Sequence, residues 1–215
     1  MEISIRLRPI GDPDGRALLL VVLDGPEYVR RASLTRLLTK LVARGQAPPH
    51  RVALVAPDDR LETYSASARY AHALVQALDE LGRSRRVGLG SSLGGLALLH
   101  AHRLEPHAFA GLFLQSGSFF RRRTDRQEAG FRRFARIDRF VGTVLNAEDG
   151  AHPLPTTITC GLDEENYANN AALAQALAQQ GYPVEFHAAR GGHDWPTWRR
   201  GLQSHLAPFL GRAWR

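Results

Sequence analysis

The chain has 215 residues, 44% of them hydrophobic and 23% charged, a balance that excludes a disordered segment and suits a domain burying roughly 70% of its unfolded surface. The longest aliphatic run, Leu18 to Leu23, falls far short of the ~20 residues that cross a bilayer, and Met1-Glu2-Ile3-Ser4 lacks the layout of a secretory signal. One cysteine, Cys160, cannot form an internal disulfide, so the reading is a single cytoplasmic domain over residues 1–215 with no membrane partner. The net charge of +7 rests almost wholly on arginine, since Lys40 is the only lysine; arginine suits anionic partners, against the plainer reading of a solvated basic surface.

Alternating Ile3, Ile5 and Leu7 read as a strand, and Gly11-Asp12-Pro13-Asp14-Gly15 as the turn of an antiparallel hairpin leading into the buried run 17–23. Ser33 is placed to cap a helix whose Leu34, Leu37, Leu38 and Leu41 share one face, with Gly45 past its end. After Pro48-Pro49 comes a strand from Arg51 to Ala56, then a helix carrying Tyr70, Leu74, Leu78 and Leu81 and stopped by Gly82. The strand Arg86 to Gly90 runs through a glycine-bracketed turn into a helix from Leu96 to His102. Strands follow at 109–115, 158–160 and 184–187, with helices at 166–180 and from Trp195 to about Phe209. Strands alternating with helices predict an α/β fold: a mostly parallel sheet with helices on both faces and the hairpin at one edge. Active sites of such sheets lie beyond the carboxyl ends of the strands.

The sharpest motif stands at one of those ends. Gly90-Ser91-Ser92-Leu93-Gly94 matches G-x-S-x-G with Ser92 at its centre, between a strand and a helix. A nucleophilic serine needs that tight turn to project its hydroxyl, and small neighbours to avoid collisions. The N–H of Leu93 then faces the same space as an oxyanion donor. Ser91 does not fit, because Leu89 and Leu93 flank it where glycines belong. In α/β-hydrolases the order along the chain is serine, acid, histidine. His193, in Gly191-Gly192-His193-Asp194 after the last strand, is the candidate base, whereas His187 and His205 fall inside a strand and a helix. In Cys160-Gly161-Leu162-Asp163-Glu164-Glu165 the candidate acid is Glu164, about three residues past the strand-ending glycine, with Asp163 the runner-up. A second oxyanion donor should follow the Leu18–Leu23 strand. Pro26 has no N–H, leaving Gly25 or Glu27, of which Gly25 is favoured.

Asp24-Gly25, Arg60-Leu61-Glu62-Thr63-Tyr64, the serine turn, Ser116-Gly117-Ser118, Cys160 to Glu164 and the run from Gly191 to Arg199 together resemble the ordered blocks of an esterase family. That group includes esterase D, feruloyl esterases, mycolyltransferases and the enterochelin (ferric siderophore) esterases. The Gly-Gly-His-Asp-x-x-x-Trp-Arg ending looks most like the enterochelin-esterase branch. The resemblance implies an α/β-hydrolase fold, carboxylic-ester hydrolysis by Ser92, His193 and Glu164, and Arg60 as a substrate contact. Tyr28 stands where many relatives carry tryptophan.

Arg121, Arg122, Arg123, Arg126, Arg132, Arg133, Arg136 and Arg139 crowd one segment, and 121–150 reads as a lid-like insertion that captures an anionic ester, or as a solvated helix whose Phe131, Phe134, Ile137 and Phe140 face inward. The sequence reads as a serine esterase acting on a small-molecule ester, anionic or siderophore-like, with no metal and no cofactor. An acyltransferase with the same triad and a catalytically lapsed binding protein are the alternatives. A nucleic-acid partner is not expected, because no helix-turn-helix, zinc motif or aromatic-basic interleaving accompanies the arginines.

Overall fold

The computed structural model describes residues 1–13, 18–150 and 152–215. In chain order the elements are β1 (Ser4–Ile10), β2 (Leu18–Leu23), α1 (Gly25–Ala32), α2 (Leu34–Ala43), β3 (His50–Ala56), α3 (Arg60–Thr63), α4 (Ala68–Glu80), β4 (Arg85–Ser91), α5 (Leu93–Leu104) and β5 (Gly111–Gln115). A 3₁₀ turn at Arg126–Gly130 follows, then α6 (Phe134–Leu145), β6 (Thr156–Gly161), α7 (Tyr167–Gln179), β7 (Val184–Ala189) and α8 (Trp195–Ala213). Among the described residues, no helix is long and apolar enough to cross a membrane.

The seven strands form one sheet in the order β1-β3-β2-β4-β5-β6-β7. All neighbouring pairs are parallel except β1 with β3, where Ser4 faces Ala56 and Ile10 faces His50. The sheet therefore has its single antiparallel pair at the amino-terminal edge, but the hairpin expectation is corrected. β2 lies between β3 and β4, and β1 pairs across the sheet edge with β3 instead of with its sequence neighbour. The physical reason is burial: β2 is apolar on both faces and takes an interior place, whereas β1 is largely exposed and suits an edge. Asp14 and Gly15 of the expected turn lie outside the described residues.

Side chains on the two faces build separate cores. Leu19, Val21 and Leu23 join Leu74, Leu78, Leu96 and Leu99 of α4 and α5 on one face, along with Ile137, Val141 and Val144 of α6. Leu20 and Val22 join Leu34 and Leu38 of α2 and Leu202, Leu206 and Phe209 of α8 on the other. The inward face expected for the arginine-rich segment is thus present, with Phe134 and Ile137 buried and Phe131 and Phe140 packed against the core.

Helix α1, which no apolar periodicity announces, starts directly after β2. Pro26 sits in its first turn, where a missing N–H costs nothing and its fixed φ fits the helix. Ser33 joins α1 to α2 in the left-handed region at φ 53°, and its side chain makes no cap hydrogen bond, contrary to its expected role. Gly25 lets α1 lie close on β3: a Cβ there would come within 2.6 Å of the Leu54 Cα. Both partners are backbone, so neither side can yield cheaply. Gly25→Ala is expected to cost about 1–3 kcal/mol. Thermal denaturation should register this as a Tm drop of several degrees, and an unchanged Tm would show that the contact relaxes.

Candidate active site

Parallel strands carry their carboxyl ends to one edge of the sheet, and three of those ends meet around Ser92. Ser91 ends β4, Gln115 ends the adjoining β5, and Gly161 ends β6 next to that. Ser92 lies in the turn between β4 and α5 with φ 54° and ψ −125°, a strained backbone for a residue with a side chain. Its N–H donates to the Gln115 carbonyl at 2.8 Å and its carbonyl accepts from the Ser118 N–H at 3.1 Å, so neighbouring chain holds the strain in place. The two motif glycines differ in importance. A Cβ at Gly90 would meet the Gly94 backbone at 2.7 Å, whereas one at Gly94 would have only ordinary contacts. Space is therefore demanded at 90, not at both positions.

Ser92 Oγ lies 3.0 Å from His193 Nε2, and His193 Nδ1 lies 2.8 Å from Glu164 Oε2. An ionised carboxylate only accepts, so Nδ1 carries the proton and Nε2 is left to accept from the serine. The Glu164 side chain is fully buried. Its other oxygen, Oε1, accepts from the Ser116 hydroxyl at 2.6 Å and the Gly161 N–H at 2.7 Å. Burial is the strongest single influence on this carboxyl and pushes its pKa up. The hydrogen bonds from His193, Ser116 and Gly161 together outweigh it and hold the group below the ordinary carboxylate range. Asp163 points elsewhere, accepting the Gly191 N–H at 3.0 Å and so bracing the histidine loop from behind.

Ser116 and Ser118, which follow β5, both reach the triad. Ser116 stands at φ 48° and, besides donating to Glu164, accepts the Trp198 indole N–H at 2.9 Å. Trp198 sets its ring edge-on to the His193 imidazole at 5.1 Å, backed by Trp195 and Tyr28. Ser118 Oγ lies 3.1 Å from Ser92 Oγ. With the Ser92 proton directed at His193, Ser118 is the donor of that pair. No spacing rule marks these serines; only the β5–β6 adjacency brings them in. Cys160 is buried nearby, and burial pushes its thiol up to about 12, which keeps it protonated and unreactive.

Leu93 opens α5 and Gly25 opens α1, and among the described residues neither N–H has a partner. The Glu27 N–H, the other option, is taken by the Asp24 carbonyl at 3.0 Å. Arg60 has its Nε and Nη2 hydrogens on the Asp24 carboxylate at 2.8–3.0 Å and its guanidinium over the Tyr64 ring at 5.5 Å. It pins the loop that carries Gly25 while lining a lobe of about 410 Å³ with Ser92, His193 and Arg31.

A second lobe of about 370 Å³ also opens on Ser92 and His193, with Phe120, Glu128, Asp163 and Glu165 in its walls. None of the eight arginines between 121 and 139 lines either lobe. Arg133 and Arg136 bind Glu62 instead, and Arg121 binds Asp138. The segment's contribution to the cleft is a carboxylate, Glu128, and this corrects the expected capture of an anion there. Among the described residues, no three His, Cys, Asp or Glu side chains are grouped to hold a metal ion.

A seven-stranded, mostly parallel sheet with a serine on a strained strand-to-helix turn, a histidine after the last strand and a buried acid between them is the α/β-hydrolase fold. No protein-family profile matches the chain. Its similarity to the iron(III) enterobactin esterase of Escherichia coli (strain K12) is 28% identity over 204 residues, 87% of this chain and 48% of that protein. The chain thus spans about half the length of the curated relatives it matches. The enterochelin esterase of Shigella flexneri superposes with a TM-score of 0.79 at 25% identity, over 96% of this chain and 54% of that one. A ferulic acid esterase superposes with a TM-score of 0.72 at 19% identity, covering 93% of this chain and 86% of its own. The chain is a homologue of the enterobactin esterases, with the α/β-hydrolase fold of the wider esterase group.

Two measurements probe the buried acid. With its folded-state pKa depressed, the Glu164 carboxylate stabilises the fold above the unfolded value and loses that contribution as pH falls through the folded one. The Tm gap between the wild type and Glu164→Gln should therefore narrow as pH is lowered from neutrality into the acid range, and a constant gap would contradict this. Ser116→Ala removes one donor of the three, a bond to a charged group worth about 1.5–3 kcal/mol. The expected result is a fall in kcat of about tenfold or more with KM nearly unchanged, and unaltered kcat would remove Ser116 from the machinery.

Proposed function

We propose that the chain is a serine carboxylic-ester hydrolase that works through an acyl-enzyme on Ser92. The observation that carries this reading is the single imidazole of His193, which meets the serine hydroxyl at 3.0 Å and the buried carboxylate at 2.8 Å. Ser92 Oγ attacks the ester carbonyl as its proton passes to Nε2. Glu164 holds the ring in the tautomer that can accept this proton and stabilises the imidazolium formed. The N–H groups of Leu93 and Gly25 receive the oxyanion, each such donor being worth about 3 kcal/mol. The imidazolium protonates the departing alcohol, and water releases the acyl group by the reverse relay.

The ester is a small molecule lying across the two lobes that share Ser92 and His193. Some structures of the Shigella flexneri enterobactin esterase were determined in the presence of enterobactin, which supports a siderophore-like ester as a substrate to test. Any anionic group on it is repelled less on the Arg31–Arg60 side, where the two arginines offset Glu27 and Asp24, than on the other, where Glu128, Asp163 and Glu165 line the lobe without an arginine or lysine. The segment 121–150 is a fixed wall of the second lobe, its helix held in the core by Ile137, Val141 and Val144.

Hydrolysis of p-nitrophenyl butyrate tests the reading. Ser92→Ala should lose at least ~10³-fold in kcat, and Glu164→Gln should lose more than Asp163→Asn. Wild-type turnover in Ser92→Ala would end the proposal, and a larger loss at Asp163 would reassign the acid.

A further inference from the structure

Between α2 and α8 lies a cleft of about 480 Å³ that the catalytic reading does not use. Arg36, Lys40 and Arg44 line it from the α2 side and Arg199 from the α8 side, with no carboxylate in its walls. Among the described residues, none of these four side chains has an ion pair or a side-chain hydrogen bond. Some arginines elsewhere do have carboxylate partners: Arg30 and Arg31 with Glu27, Arg60 with Asp24, Arg86 with Asp79, and Arg133 and Arg136 with Glu62.

Successive cations on α2 are four residues apart, about 6 Å along the axis. Like charges at that spacing destabilise a helix. Lys40 and Arg44 lie at the carboxyl end, where the helix dipole favours them, but Arg36 lies in the first turn, where it opposes them. Arg199 adds a fourth charge from another element. Among the described residues, no carboxylate in the cleft's walls offsets this repulsion. Ala32, Leu37 and Leu41 are the apolar residues among its otherwise polar walls. Its concavity and volume fall in the range of small-molecule sites, about 300–1,000 Å³, whereas a membrane or a duplex would call for a broad convex or flat face.

We propose that this cleft binds a small molecule carrying several oxyanion groups on an apolar body, held by Arg36, Lys40, Arg44 and Arg199. Guanidinium forks take phosphate or carboxylate groups two oxygens at a time, and Lys40 adds a point charge. Ala32, Leu37 and Leu41 offer contact to the apolar body, so an aromatic polycarboxylate is a suitable probe.

The test is calorimetric titration of the whole chain with benzene-1,3,5-tricarboxylate in about 150 mM NaCl, where non-specific attraction is screened. Benzoate is the single-charge control. Saturable one-site binding is expected, at least about tenfold tighter than benzoate, with a weakening of at least about tenfold in the variant Arg36→Gln/Lys40→Gln/Arg44→Gln. Glutamine has a helix propensity close to that of arginine and lysine, so α2 should survive the change. Turnover of p-nitrophenyl butyrate by the same variant should be unaltered, which separates failure here from failure of the esterase reading. Equal binding by the variant, or no saturable binding, would overturn the proposal. So would tight binding of single-stranded DNA or anionic vesicles without binding of the tricarboxylate.

Discussion

The site depends on a carboxylate that is kept charged where no water can reach it. Burying an unpaired charge is prohibitive, and Glu164 escapes that cost because three donors converge on its two oxygens. Each comes from a different part of the sheet edge: Ser116 after β5, Gly161 at the end of β6, and His193 after β7. Losing one would leave the acid under-solvated; losing the geometry of one strand would disturb all three. The imidazole is thus oriented by a group that is itself over-determined, and the serine inherits that order at 3.0 Å. Trp198 extends it, since one indole both donates to Ser116 and packs edge-on against His193.

This convergence explains why the parallel arrangement matters more than any single motif. Ser92, Ser116, Glu164 and His193 are separated by 24 to 101 residues along the chain, yet each follows the carboxyl end of a strand. In a parallel sheet those ends lie on one side by construction. The strand order β4-β5-β6-β7 places them in sequence, so the nucleophile, the two bracing groups and the base are reached in one sweep across the edge.

The same logic separates what was legible in the sequence from what was not. Ser92 was legible because a strand, a glycine-bracketed turn and a helix are local and leave a local pattern. His193 and Glu164 followed from their places after the last two strands. The partner of β1 was not legible. Alternation marks Ile3, Ile5 and Leu7 as a strand with one covered face, but carries no record of whether β2 or β3 lies beside it. Helix α1 was missed because Pro26 reads as a breaker unless its position in the first turn is known. Ser116 and Arg60 show a further blind spot. A serine that donates to an acid 48 residues away, or an arginine that forks an aspartate 36 residues back, has no periodic or spaced signature.

Charge is where composition and arrangement part most clearly. The arginine-rich stretch between 121 and 139 drew attention because positive residues are dense there, yet density along a chain is not density in space. Three of its arginines are spent on Glu62 and Asp138, none enters the catalytic lobes, and the residue it contributes to them is acidic. The cations of α2 are only three and evenly spaced, so they attract no notice in the sequence. Folding sets them beside Arg199 in a cleft whose walls hold no carboxylate. At ~8–10 Å of screening in physiological salt, a substrate or ligand responds to the few charges lining its own cleft, not to the net +7. A basic protein can therefore present a partly acidic catalytic cleft and gather a cluster of cations without ion pairs on another face.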